Sequence, residues 1–487
     1  MTATAPAPGP AASAPPPAAP RSVTAVVGLL IFFEVMSGFL QVGLAPLLPD
    51  LADHLGIGSA DLNWVVSVQL LAAAVCVPLF GRLGDLYGHR RMLRIALALI
   101  AAGTVVVALA PGYEVLLLGR LLQGPIAALL PLEIALVRDR LPVADARRAI
   151  ARLVGALTLG AMAGGVVMGL VDSAFGDLRL TLLVPAVLAV VCVPISFIAV
   201  PESEGRAGGR VDWAGVTLLS AAMLSLLGGV GGAEGGSWLT ARVLGPVLLG
   251  AALLVVWVLV ELRSAEPLVD VRALADRRTA PFYAAAFLFG VFFFGSQAPN
   301  STFYAADPDV TGYGFGLGAL AISLVLLPAS VGSVIGSLGT AAVARRIGYR
   351  PTLMGAFGLV ALSFLQFAVL HGSVGQMAVG SAFLGLGIGL ALGAMPTVIV
   401  EATEPARTGI AAALYNNVKT LGGAVAGGVF ASLLGAFAGG ATGEPSEGGY
   451  VTVWVVGAVC AGAAVLMTLL ARREETLFQG DHPSPSG

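Results

Sequence analysis

Three charged residues stand inside long apolar runs of this chain. Glu34 falls in Phe32-Phe33-Glu34-Val35-Met36, Arg120 in Leu116-Leu117-Leu118-Gly119-Arg120-Leu121, and Lys419, the single lysine, in Leu414-Tyr415-Asn416-Asn417-Val418-Lys419. A carboxyl group in an apolar medium has to be neutralised, paired or solvated, and one that exchanges a proton there can couple proton movement to other events. Glu34 suits that role, or a structural hydrogen bond between helices. Arg120 in the same medium either faces a wetted interior or snorkels to the nearer surface. Lys419 either pairs with an acid or an anion across a cleft, or snorkels likewise. Glu133 and Glu401 lie close to the ends of their runs and read as interfacial residues. Seven uncharged polar residues join this set: Gln41, Gln123, Gln297, Asn300, Tyr304, Asn416 and Asn417. They either line a polar cavity or hold helices together, the latter worth about 0.6 kcal/mol each.

The surrounding composition defines the medium. Of the 487 residues, 57% are hydrophobic and 11% charged. Mean hydropathy is +0.91. A soluble domain carries roughly 25% charged residues, so the apolar excess here must face lipid. A net charge of −2 gives no basic field, and nucleic acid is not an expected partner. Three cysteines, Cys76, Cys192 and Cys460, lie far apart in apolar runs and suggest no disulfide framework.

A membrane helix needs about 20 apolar residues. Such runs fall at 23–48, 61–80, 92–110, 114–137, 150–171, 180–200, 212–232, 242–261, 281–304, 315–343, 352–371, 375–400, 408–436 and 450–471, fourteen in all. They are continuous and long, unlike the short alternating strands of a barrel. The fold expected is an all-α membrane protein. Arginines crowd every second connection, from Arg82, Arg90 and Arg91 through Arg206, Arg210, Arg278, Arg346 and Arg407 to Arg472 and Arg473. The opposite connections hold little beyond Arg179 and Arg242. By the positive-inside rule both termini are cytoplasmic. Arginine-heavy, Ala/Gly/Val-rich usage points to a bacterial cytoplasmic membrane.

Two connections repeat each other. Gly81-Arg82-Leu83-Gly84-Asp85-Leu86-Tyr87-Gly88-His89-Arg90-Arg91 follows the second run, and Ala344-Arg345-Arg346-Ile347-Gly348-Tyr349-Arg350 follows the tenth. The offset predicts two six-helix halves with two helices inserted between them. Boundaries follow: a disordered cytoplasmic tail over 1–21, an N-terminal half over 22–202, inserted helices over 203–265, a C-terminal half over 266–472, and a tail over 473–487.

The 81–91 stretch resembles the signature loop between helices 2 and 3 of the major facilitator superfamily. Gly119-Arg120-Leu121-Leu122-Gln123-Gly124 resembles that family's helix-4 motif. The resemblance covers roughly residues 22–472 and is nearest to the fourteen-span drug:proton antiporters. It implies the major facilitator fold and a central cavity between the halves. Gly81, Arg82, Asp85, Gly88, Arg90 and Arg91 would form a cytoplasmic latch, with Asp85 paired to the other half. Arg120 would take part in proton transfer with Glu34, which stands one to two turns from the family's helix-1 acid. Gln41, Gln123, Gln297, Asn300, Tyr304, Asn416, Asn417 and Lys419 would lie on cavity-lining helices. Span 5 carries the family's glycine spacing, from Gly155 through Gly160 and Gly164-Gly165 to Gly169, without its proline.

No P-loop is present, which argues against ATP-driven pumping. Four histidines show no metal spacing, and no cofactor or enzyme is expected. The function expected is a monomeric secondary transporter that uses protons to move a small amphipathic molecule outward through the bilayer. Competing readings are a proton-coupled importer, a dedicated metabolite exporter, or a membrane sensor or scaffold that moves nothing.

Overall fold

The computed structural model describes residues 23–58, 61–141, 143–199, 211–231, 240–264, 267, 269, 271–403, 408–439 and 444–471. The expected tails at 1–21 and 473–487, with Arg206, Arg210, Arg407, Arg472 and Arg473, lie outside these residues. In the N-terminal half, α1 spans Val23–Val42, α2 Leu48–Leu55, α3 Leu62–Tyr87 and α4 His89–Ala108. There follow α5 Tyr113–Leu122, α6 Leu129–Arg140, α7 Val143–Phe175 and α8 Leu178–Ala199. The inserted pair is α9 Trp213–Gly231 and α10 Ala241–Arg263. The C-terminal half begins with α11 Val271–Ala275, α12 Ala280–Gly295, α13 Gln297–Ala305 and α14 Pro308–Thr311. It ends with α15 Ala319–Ile347, α16 Tyr349–Val369, α17 Val374–Glu401, α18 Thr408–Ala436 and α19 Glu447–Leu470.

Helices dominate because a chain in hydrocarbon must satisfy its backbone groups internally. Among the described residues, thirteen spans are long and apolar enough to cross a membrane, and the apolar stretch Trp213–Leu226 of α9 supplies a shorter fourteenth. The fourteen-helix expectation holds. Large apolar side chains point outward, Ile198 at 87% exposure and Leu338 at 79%, as a lipid-facing surface requires.

Three spans are broken. The 3-10 turn Ala45–Leu47 separates α1 from α2, Gly124–Ala128 separates α5 from α6, and Ser296 separates α12 from α13. Pro46 and Pro125 stand at the starts of the two 3-10 turns, where a missing N–H costs least. Discontinuous spans of this kind are where transporters build their sites.

The two halves repeat the same packing order. α1 crosses α7 as α12 crosses α18, and α4 packs on α8 as α16 packs on α19. Small residues allow these close approaches: Gly160 sits on the Val35 carbonyl in the first crossing, and Gly290 on the Lys419 carbonyl in the second. The α3–α4 and α15–α16 corners turn on Gly88 at φ 99° and Gly348 at φ 88°, a conformation that favours glycine. An arginine staples each half. Arg94 reaches the carbonyls of Ser196 and Phe197 at 3.4 Å, and Arg350 those of Thr468 at 2.9 Å and Leu469 at 2.7 Å. A cation on the final carbonyls of a helix also opposes its dipole.

The halves meet where α3 packs on α18 and α7 on α15. The tightest points are Gly427 against Ser67 and Asn63, and Gly169 against Ser323 and Ala319. All of these lie toward the membrane face opposite the arginine-rich connections. The inserted pair joins the C-terminal half: Leu219, Met223 and Trp257 belong to the same apolar cluster as Phe289, Phe357 and Trp454.

Candidate functional site

Arg120 closes the last turn of α5, just before the Gly124–Ala128 break. Its side chain is 4% exposed and turned inward, so it does not snorkel. Nε donates to the Val65 carbonyl at 2.7 Å, and Nη1 donates to Gln123 Oε1 at 2.8 Å. Gln123 Nε2 in turn donates to Thr104 Oγ1 at 3.0 Å, and Thr104 donates to the Ile100 carbonyl at 2.7 Å. This chain of bonds ties α5 to α3 and α4. A small cavity beside it is walled by Phe39, Leu40, Met168 and Pro185. A guanidinium can reach both acceptors from one stem and an ammonium cannot. Arg120→Lys is therefore expected to fold but to lower transport about tenfold, the equivalent of about 1.4 kcal/mol. Transport in vesicles, normalised to the amount of inserted protein, checks this.

Glu34 does not meet Arg120. It lies midway along α1, fully buried, and its carboxyl group faces that of Glu133 on α6, which is also fully buried. The interfacial reading of Glu133 is thus corrected. The fourth span extends to Arg138, and the α6 backbone turns this side chain inward onto α1. None of the four oxygens has a hydrogen bond from any other described group.

The expected cavity residues divide. Asn300 and Tyr304 are corrected to core positions of the C-terminal half. Asn300 Oδ1 accepts from Trp454 Nε1 at 2.9 Å, and Tyr304 stacks on Phe315. Tyr304 is fully buried, with Ser381 beside its hydroxyl. α13 carries polar residues on several sides, among them Gln297, Asn300, Ser301 and Thr302, so polarity gives no signal for which of its faces turns to a cavity. Trp454→Phe leaves Asn300 without its donor, and a loss of about 1–3 kcal/mol is expected in thermal or denaturant unfolding. Gln123 belongs to the Arg120 chain of bonds. Gln41, Gln297, Asn416, Asn417 and Lys419 remain partly exposed. Gln41 donates to Ser37 Oγ at 3.1 Å, and Lys419 Nζ lies 5.4 Å from the Tyr415 ring centre.

At the arginine-rich face, Asp85 Oδ1 meets His89 Nε2 at 3.2 Å, one turn along the same corner. The cross-half partner expected for Asp85 is therefore replaced by a local one among the described residues. The physical reason lies in the contacts between the halves, which are tightest at the other face.

With two six-helix repeats, an inserted pair and this corner established, the family is plain. The chain belongs to the Major Facilitator Superfamily, whose family description matches residues 28–427. It is 29% identical over 449 residues to the probable actinorhodin transporter of Streptomyces coelicolor, covering 88% of this chain and 76% of that one. It is 28% identical over 401 residues to the tetracenomycin C resistance and export protein of Streptomyces glaucescens, covering 79% and 71%. The crystal structure of an auto-inhibited peptide transporter of the POT family shares the fold, with a TM-score of 0.64 at 15% identity over 94% of this chain and 98% of that one.

Proposed function

We propose that this protein is a secondary exporter of a small, drug- or antibiotic-like organic molecule. It works by alternating access in the bacterial cytoplasmic membrane, as a monomeric proton antiporter with both termini in the cytoplasm. The observation that carries this reading is the one-sided closure of the two halves. Close glycine crossings hold one face together, while at the other face Asp85 pairs within its own corner, with His89. With the arginine-rich face cytoplasmic, this is the state open to the inside. Rocking to the other state would part Gly427 from Ser67 and bring the corner of Gly81, Arg82, Asp85, Gly88, Arg90 and Arg91 against the C-terminal half. The export relatives favour outward movement. The partly exposed Gln41, Gln297, Asn416, Asn417 and Lys419 are the proposed substrate lining. Glu34 is the proposed proton carrier, and Arg120 positions the helices around it.

Proteoliposomes with an imposed pH gradient and a panel of amphipathic fluorescent dyes test the reading. Dye movement against the proton flow is expected, falling at least tenfold when an uncoupler dissipates the gradient. Movement that ignores the uncoupler overturns proton coupling. Accumulation with the proton flow makes the protein an importer.

A further inference from the structure

α1 and α6 pack together, and each contributes one carboxyl group to their contact. The walls around the pair are apolar: Leu30, Phe33, Leu97, Leu132 and Cys192 are buried in the same cluster. Two bare carboxylates there would repel each other and lack every donor. A proton between them turns one group into a donor and the other into its acceptor, so one added hydrogen converts repulsion into a hydrogen bond. Among the described residues, no basic side chain is bonded to either carboxyl group. Arg94 on α4 is held by the carbonyls of Ser196 and Phe197, and Arg120 by Val65 and Gln123. On α7, Arg148 pairs with Asp145 and Arg152 is exposed. The titratable neighbour from α8 is Cys192, itself buried.

We propose that Glu34 and Glu133 form a single proton-binding dyad inside the N-terminal half, with Glu133 as its second, equal member. Glu133 lies seven residues before Arg140, about 10 Å in from the arginine-rich face at 1.5 Å per residue. Glu133 stands one to two turns after the helix break at Gly124–Ala128, whereas Glu34 lies in the continuous middle of α1. A movement of α6 at that break separates the two groups and releases the proton they share. The use of this proton in transport rests on the antiport reading above; its binding by the dyad does not.

Infrared difference spectroscopy on the full chain in lipid, titrated with pH, reads the dyad directly. The wild type is expected to show a protonated-carboxyl C=O band that Glu34→Gln and Glu133→Gln each shift, because either acid left alone keeps a proton but loses its carboxylate partner, and that the double variant abolishes. Dye transport driven by the pH gradient is expected to fall at least tenfold in each single variant, with no further fall in the double. An unchanged band in Glu133→Gln, or two separate bands lost additively, overturns the dyad. If the Gln variants do not insert as stable protein, Glu34→Asp and Glu133→Asp keep both acids but widen the gap, and each is expected to shift the same band; no shift in either overturns the proposal. Wild-type transport that proves indifferent to the gradient defeats the antiport reading alone, because the band still reports on the dyad.

Discussion

Gly427→Ala is expected to slow transport at least tenfold, and Ser67→Gly in the same chain is expected to restore it. A methyl group at Gly427 would collide with Ser67 Oγ, with Ser67 Cβ at 2.8 Å and the Asn63 carbonyl at 3.1 Å behind it. Ser67 cannot swing aside freely, since its hydroxyl donates to the Asn63 carbonyl at 2.7 Å. Overpacking of this kind costs typically 1–3 kcal/mol. The cost falls on the state in which α3 and α18 are pressed together, so the balance moves toward the state in which they part. At about 1.4 kcal/mol per factor of ten, a protein that must visit both states is held in one. The check is a thiol placed at Ser173, beside the cleft between the halves at that face. Labelling of Ser173→Cys by an impermeant reagent should rise in Gly427→Ala and fall back when Ser67→Gly is added. Unchanged labelling together with unchanged transport would refute the idea that this crossing is the outer gate.

Gly385→Val is expected to prevent assembly altogether. α15 and α17 interlock through two glycine pairs: Gly332 and Gly336 on one helix, Gly385 and Gly389 on the other. A Cβ at Gly385 would collide with the Ala329 carbonyl and lie 2.5 Å from its carbon, and one at Gly389 would meet the Ser333 backbone in the same way. Backbone atoms cannot rotate out of the way as a side chain can, so the two helices must separate along their whole length. The loss expected is above about 3 kcal/mol, at the upper end of overpacking effects. Gly355→Ala is the control: nothing lies within 4 Å of its Cβ, and the change should be neutral or stabilising by up to about 1 kcal/mol. Yield of monodisperse protein and its melting temperature separate the two variants. A well-folded Gly385→Val would show that the crossing is looser than drawn.

Much of the scaffold was legible in the chain because hydrocarbon imposes a simple length rule. Fourteen apolar runs became thirteen long spans and one shorter stretch. The repeated corners at 81–91 and 344–350 both turn on a positive-φ glycine. What the chain concealed was direction within a span. Glu133 looked interfacial because it lies four residues from the end of its apolar run, yet its side chain turns onto α1. Asn300 and Tyr304 looked like lining because their helix carries polar residues, yet Asn300 bonds Trp454 and Tyr304 stacks on Phe315 inside their own half. A helix embedded among others is apolar nearly all round, so periodicity cannot separate an inward from a cleft-facing position. The breaks at 45–47 and 124–128 were foreshadowed only by Pro46 and Pro125.

The guanidinium staples at Arg94 and Arg350 grip main-chain oxygens, which every residue type presents alike. The closing turn of α19 is therefore held whatever side chain stands at the exposed Leu469, whereas that of α8 also depends on Phe197, whose ring lies 4.3 Å beneath the Arg94 guanidinium. Fusion partners or epitope tags appended after these turns should leave each six-helix unit intact, making them the natural places to attach reporters.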